Sequence, residues 1–453
     1  MRRQPEMAEV DRTEYVFGEN GGLGAPSSSF FRRIASMAPQ PSDEDESDTF
    51  QRTVGAGYTY ADQIAPNKIK RTKSRQDKHK GRRGSYFDLD DDWDANVEHN
   101  LVDGAKFKKS LAGQAMESAE SLAFAECEEM NNRISRIRRF QAVLDAPIVD
   151  LAHLKKLSYT GVPEELRPKT WQLLLGYLAP NGERRERTLA KKRQEYHNGV
   201  QQVFNTGLDE QMWHQISIDV PRTNPHIKLY SHPIIQKALE RILYLWAIRH
   251  PASGYVQGIN DLVTPFIQTF LQPHVEHASV DDLDPETVPQ QSMRDIEADA
   301  YWCLTKLLDG IQDNYIHAQP GIHKQVAQLQ DLCTRLDRNL VEHLRSEGIE
   351  FMQFSFRWMN CLLMREVPMG CTIRIWDTYI SEGPQGFSAF HVYVCAAFLN
   401  YWKEQIKVKD FQDIMVFLQA LPTADWTEKE VELILSEAFL FQTLYKTGSA
   451  HLK

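Results

Sequence analysis

The chain has 453 residues, 42% of them hydrophobic, and a formal net charge of −10. That is enough apolar material for a large core, and the wrong sign for a protein whose main partner is a nucleic-acid backbone. Its six cysteines (Cys127, Cys303, Cys333, Cys361, Cys371, Cys395) are scattered without a C-x-x-C pair, which argues against a disulfide framework or thiolate zinc site and reads as reduced core thiols in a cytosolic setting.

In chain order, residues 1–110 read as a disordered regulatory arm. An acidic run at 43–46, a basic block at 68–83 and an acidic patch at 88–94 alternate there, with apolar residues too sparse to offset the entropy of ordering. Ser36 follows Arg32-Arg33, and Ser85 follows Arg82-Arg83. Phosphorylation at either would create a docking site for Arg-cluster readers such as 14-3-3 proteins; the plainer reading is a solvated basic stretch that precedes a serine by chance. The N-terminus has no apolar signal core, and Arg2 stands where myristoylation would need glycine.

From residue 111 the pattern turns helical. A lead-in helix, or two, is expected within 111–150, followed by the main domain over 151–453. An apolar helix near 111–144 could pair with a second copy of the chain or pack on the domain. The stretch 163–176, with Pro163 suited to a first helical turn, reads as one helix. Further helices are expected at 183–203, 208–216, 233–249, 256–271, 296–310, 351–364, 387–405, 409–420 and 427–441. The steps of three and four through Ile322, Val326, Leu329, Leu332, Cys333, Leu336, Leu340 and Leu344 predict a single apolar stripe of about six turns. Residues 272–295, holding Asp281, Asp282, Asp284 and Glu286, read as an exposed acidic loop insert. Alternating strand-like runs bounded by hairpin dipeptides are absent, so the fold class is all-α, one extended domain or two packed helical halves. The longest unbroken apolar run, 392–399, is eight residues, far short of a membrane span.

Few motifs carry chemistry. No Walker loop, H-E-x-x-H or G-x-S-x-G occurs. His274 and His277 near Asp281 read more simply as solvated loop residues than as a cation site. Arg222 lies in Asp219-Val-Pro221-Arg222-Thr-Asn-Pro225, where the prolines restrict the backbone on both sides and Asp219 can direct the guanidinium. Gln257, between Gly254-Tyr255-Val256 and Gly258, is expected to open a buried helix, with a kink at Pro265. Taken singly, Arg222 reads as a surface salt bridge and Gln257 as a helix cap. As a pair they are the two side chains that GTP hydrolysis calls for: Arg for the phosphate charge, Gln to orient water.

Taken together, Ile216-x-x-Asp219-x-x-Arg222 and Tyr255-Val256-Gln257-Gly258 resemble the paired signature of the TBC domain of Rab GTPase-activating proteins. Gly161-Val-Pro163 through Leu166-Arg167 and Trp171, then Arg374-Ile-Trp376-Asp377 with Glu382-Gly383, are similar to that family's opening and later motifs. The order is right over about residues 155–440, and the wording is most similar to the branch called TBC domain family member 22. The resemblance implies an activator with no reaction of its own. Arg222 and Gln257 would enter a Rab GTPase in trans, Asp219, Tyr255 and Gly258 would support them, and Arg167, Trp171, Trp376 and Asp377 would be structural. It implies no cofactor of its own, GTP and magnesium belonging to the GTPase, and peripheral recruitment to Golgi membranes for Golgi-associated Rabs. The alternative is a catalytically silent adaptor that binds a Rab or a Golgi scaffold.

Overall fold

The computed structural model describes residues 127–448 except Glu129 and residues 276–278. The expectations for the arm, for Ser36 and Ser85, for residues 111–126 and for His277 lie outside the described residues. Among those described, α-helix dominates and no strand forms; Ile148 and Asn181 make one isolated bridge.

The helices begin where sequence chemistry says they should. After α1 (130–144), Asp150 caps α2 (Leu151–Ser158) by accepting from the amides of Ala152 and His153. A 3-10 turn, Glu164–Leu166, precedes α3 (Arg167–Leu174), so the single helix expected over 163–176 is divided; Pro168, not Pro163, occupies the first α-helical turn. Asn181 caps α4 (Gly182–Thr206) and Asp209 caps α5 (Glu210–Asp219). The short α6 (Lys228–Ser231) leads into α7 (Pro233–Arg249), which opens on a proline behind the capping ring of His232.

At the centre lies α8 (Ile259–Leu271), every residue of which is buried. It runs through Pro265, whose ring removes the amide that would bond the Asp261 carbonyl. The Thr264 hydroxyl takes its place and donates to that carbonyl at 2.7 Å. Next come α9 (Gln290–Asp309), α10 (Pro320–Leu336), α11 (Arg338–Ser346), α12 (Phe351–Asn360), α13 (Met369–Glu382), α14 (His391–Tyr401), α15 (Lys403–Ile406), α16 (Phe411–Gln419) and α17 (Glu428–Gly448).

Three further expectations need correction. The stripe from Ile322 to Leu344 is not one helix. Asp337, at φ −146, ends α10 and caps α11 by accepting from the Leu340 amide. The apolar face stays in phase across this one-residue break, which hides it from periodicity. The acidic insert is not simply a loop: its acidic side chains are largely exposed, but Val280, Pro285 and Val288 are buried on 3-10 turns, and α9 begins at Gln290 rather than 296. The segment 387–405 starts with a π-helical turn, Gly386–Phe390, before α14.

Two polar clusters tie residues 162–193 into this core. Asp377, on α13, is 1% exposed and accepts from the Val162 amide (2.8 Å), the Trp171 indole (2.7 Å) and the Arg167 guanidinium (3.1 Å). Trp376 packs beside it against Trp171, Phe266 and Phe387. On α9, Asp299 accepts from Gln172, Tyr177 and both Nε and Nη2 of Arg193. Neither hub could be read from a local pattern, since the partners lie more than 100 residues apart.

A buried histidine gives the fold a pH signature. His391 Nε2 lies 3.0 Å from the Trp358 carbonyl, so this nitrogen carries the proton, and Nδ1 accepts from the Tyr379 hydroxyl at 2.7 Å. Burial lowers its pKa to about 4. Because the folded value lies below the unfolded one, this contribution is complete above about pH 6.5 and is lost as pH falls toward 4. The loss reaches about 3 kcal/mol, at 1.36 kcal/mol per pKa unit. We expect the urea midpoint to drop over that window, and to drop less in His391→Gln, whose amide does not titrate. Parallel pH profiles for the two proteins would refute the assignment.

Candidate functional site

The segment after α5 folds into a 3-10 turn, Val220–Arg222, with Pro221 in its first positions. This fixes the backbone under Arg222 and leaves its side chain about one-third exposed (34%). The guanidinium donates through Nη2 to Asp219 Oδ1 at 2.7 Å and through Nε to the Ile218 carbonyl at 3.1 Å. Asp219 is itself buried, and its second oxygen accepts from the Tyr255 hydroxyl at 2.9 Å. Burial and the adjacent Asp219 carboxylate push the Tyr255 pKa well above the usual tyrosine range, so the hydroxyl stays protonated and remains a donor.

Gln257 is placed differently from the sequence expectation. It does not open a helix. Gly258, at φ 107, sits in the left-handed region as the cap, and α8 starts at Ile259. A left-handed residue cannot continue into a right-handed helix, so Gln257 stands on the turn before α8, with its side chain exposed. Its backbone is nevertheless held: its carbonyl accepts from Asn360 Nδ2 at 3.1 Å.

A third residue, which the sequence did not single out, couples the two segments. Asn260, buried in the first turn of α8, donates to the Thr223 hydroxyl at 2.9 Å and accepts from the Gly258 amide at 3.0 Å. One carboxamide therefore bridges the residue after Arg222 to the residue after Gln257. Asn260 also donates to Asp261 Oδ1, and Asp261 takes the Arg365 guanidinium at 2.7 Å. Burial raises the Asp261 pKa against the opposing pull of Arg365. Thr223 lies inside the sequence word around Arg222, and Asn260 stands two residues beyond the one that ends at Gly258. Asn360 and Arg365 carry no motif.

Arg222, Asp219, Tyr255, Gly258 and the Gln257 backbone thus belong to one hydrogen-bonded patch. Arg167, Trp171, Trp376 and Asp377 form the separate buried cluster described above. Asp281, the carboxylate near His274 in the sequence, accepts from the Gln268 side chain. Chemically, the patch presents a permanent cation and a neutral carboxamide on preformed backbone, backed by buried polar groups that are mostly paired. It suits the electrostatic completion of a phosphoryl-transfer site supplied by another molecule.

The Rab-GTPase-TBC domain family model matches residues 164–407, and the chain belongs to that family. It is 57% identical over 333 residues to the GTPase-activating protein gyp1 of Schizosaccharomyces pombe, covering 72% of this chain and 65% of that protein. To TBC1 domain family member 22B of Homo sapiens it is 50% identical over 323 residues, 70% of this chain and 64% of that one. The chain therefore matches slightly less than two thirds of the length of these relatives. The crystal structure of the Ypt/Rab-GAP domain of Gyp1p superposes with a TM-score of 0.67 at 52% identity, over 69% of this chain and 99% of that one.

Proposed function

We propose that this chain is a GTPase-activating protein for Rab-family small GTPases. Arg222 enters the nucleotide site of the GTPase and stabilises charge on the transferring γ-phosphoryl, while Gln257 positions the attacking water. The observation that carries this reading is the Thr223–Asn260–Gly258 bridge, which holds an accessible arginine and an exposed glutamine on one rigid support. A support of this kind lowers the entropy that the two side chains lose on docking. The names of the similar proteins support the same activity. GTP and magnesium would be the GTPase's own. The reading extends to recruitment to Golgi membranes, which the resemblance to the member 22 branch implies, to 14-3-3 docking at phosphorylated Ser85 or Ser36, and to pairing of two copies.

The test is single-turnover GTP hydrolysis by a panel of purified Rab proteins, with wild type and Gln257→Ala. Acceleration of a subset of Rabs, lowered in the variant, is the expected result. Binding without acceleration on every Rab would replace this reading with the adaptor.

A further inference from the structure

The turn that carries Gln257 is held from behind by a second turn about a hundred residues further on. The α12 helix ends at Asn360, and its chain then passes through two left-handed residues, Leu362 at φ 51 and Leu363 at φ 62, both buried. Leucine rarely adopts this conformation, and the packing around it must over-determine it. The strained turn presents two donors to the start of α8. Asn360 Nδ2 bonds the Gln257 carbonyl, and Arg365 Nε bonds Asp261 Oδ2. Asn360 is fixed in turn through its own carbonyl, which accepts from the buried Tyr315 hydroxyl at 2.8 Å.

The orientation of the Asn360 amide follows from its surroundings. Its Oδ1 is buried with no hydrogen-bond partner, so the Gln257 carbonyl is the contact that decides which end faces the turn. The flipped amide would set oxygen against oxygen. Space enforces the same arrangement. A Cβ at position 258 would collide with Asn360 Nδ2 and come within 3.4 Å of the Cys361 sulfur, so the turn can close on Asn360 only with glycine there.

We infer that Asn360 is a positioning residue for Gln257: by holding the Gln257 carbonyl, it sets where the exposed carboxamide points. This inference rests on the GTPase-activating reading above and deepens it. Asn360 is buried behind the turn, and its effect on hydrolysis is transmitted through Gln257.

The experiment is a double-mutant cycle in single-turnover hydrolysis by a Rab that wild type accelerates, at saturating activator. Asn360→Ala should lower the rate by about ten- to a hundredfold, the range of a lost hydrogen bond and a small misplacement. The same change should have almost no further effect in Gln257→Ala, and close to its full effect in Arg222→Ala. A general loss of structure would instead depress all three backgrounds alike. Asn360→Ser, which keeps a donor on a shorter arm, should fall between wild type and Asn360→Ala.

Amide hydrogen exchange over 255–259 gives a reading that needs no GTPase. Exchange there should quicken in Asn360→Ala while the melting temperature stays within a few degrees. Should Asn360→Ala fail to fold, Asn360→Ser carries both measurements. Unchanged exchange, or an equal rate loss in the Gln257→Ala background, would overturn the positioning role and leave the activator reading intact. Failure of wild type to accelerate any Rab would overturn both.

Discussion

Arg222→Ala is expected to lower Rab GTP hydrolysis at saturating activator by about 10³- to 10⁵-fold, the worth of an arginine finger supplied in trans. Stability should barely move. The Arg222–Asp219 pair is three residues apart on a partly exposed turn, and pairs of that kind contribute at most about 1 kcal/mol. Asp219 keeps its bond from Tyr255 when the guanidinium is removed. Binding of the GTP-loaded Rab should also be largely retained, because an arginine finger acts chiefly on charge that develops in the transition state. Arg222→Lys keeps the charge but loses the planar fork that also reaches the Ile218 carbonyl, and should recover only a small part of the rate. Rapid-quench hydrolysis alongside a binding isotherm separates the two quantities. An Arg222→Ala protein with wild-type rate would sink the finger assignment.

The largest expected loss of stability lies elsewhere, at Asp377. Replacing it with alanine leaves the Arg167 guanidinium, 8% exposed, without its counter-charge. The Val162 amide and the Trp171 indole lose their acceptor at the same time. Removing one member of a buried ion pair costs about 3–5 kcal/mol, more than the pair itself contributes, because the remaining charge is stranded. For a domain of this size that corresponds to a melting temperature lower by roughly 5–8 °C. Asp377→Asn keeps an acceptor for Trp171 but not the charge, and should fall in between. A melting temperature for Asp377→Ala within about 2 °C of wild type would mean that the cluster does not hold the domain together.

The helical character of the chain was legible because amphipathic helices with clean caps announce themselves. The 233–249 expectation matches Pro233–Arg249, since a proline opens the helix. Three helices escape the pattern reading, and for different reasons; Lys228–Ser231 is a single turn. Leu151–Ser158 is only eight residues long. Met369–Glu382 is buried almost all round, so Arg374 and Asp377 interrupt what would be its apolar stripe and no polar face marks its outside. At the site, Arg222 and Gln257 were visible because each sits in a short, ordered word of sequence. The height of Gln257 above the helix was not, because it depends on the left-handed cap at Gly258. Nor was Asn360, whose contact spans 103 residues. Sequence periodicity reports local geometry, and these polar contacts are decided by the approach of distant segments.

The closure at Asp377 also sets an order of events during synthesis. Arg167 and Trp171 leave the ribosome first, and their acceptor lies 210 and 206 residues further along the chain. At 5–20 residues per second, roughly 10–40 s pass before it is made. Through that interval α3 can form its turns but has nowhere to bury its charge, so the nascent chain carries an exposed tryptophan and an unmatched arginine. The first part of the domain therefore cannot complete this cluster until the last third arrives to close over it.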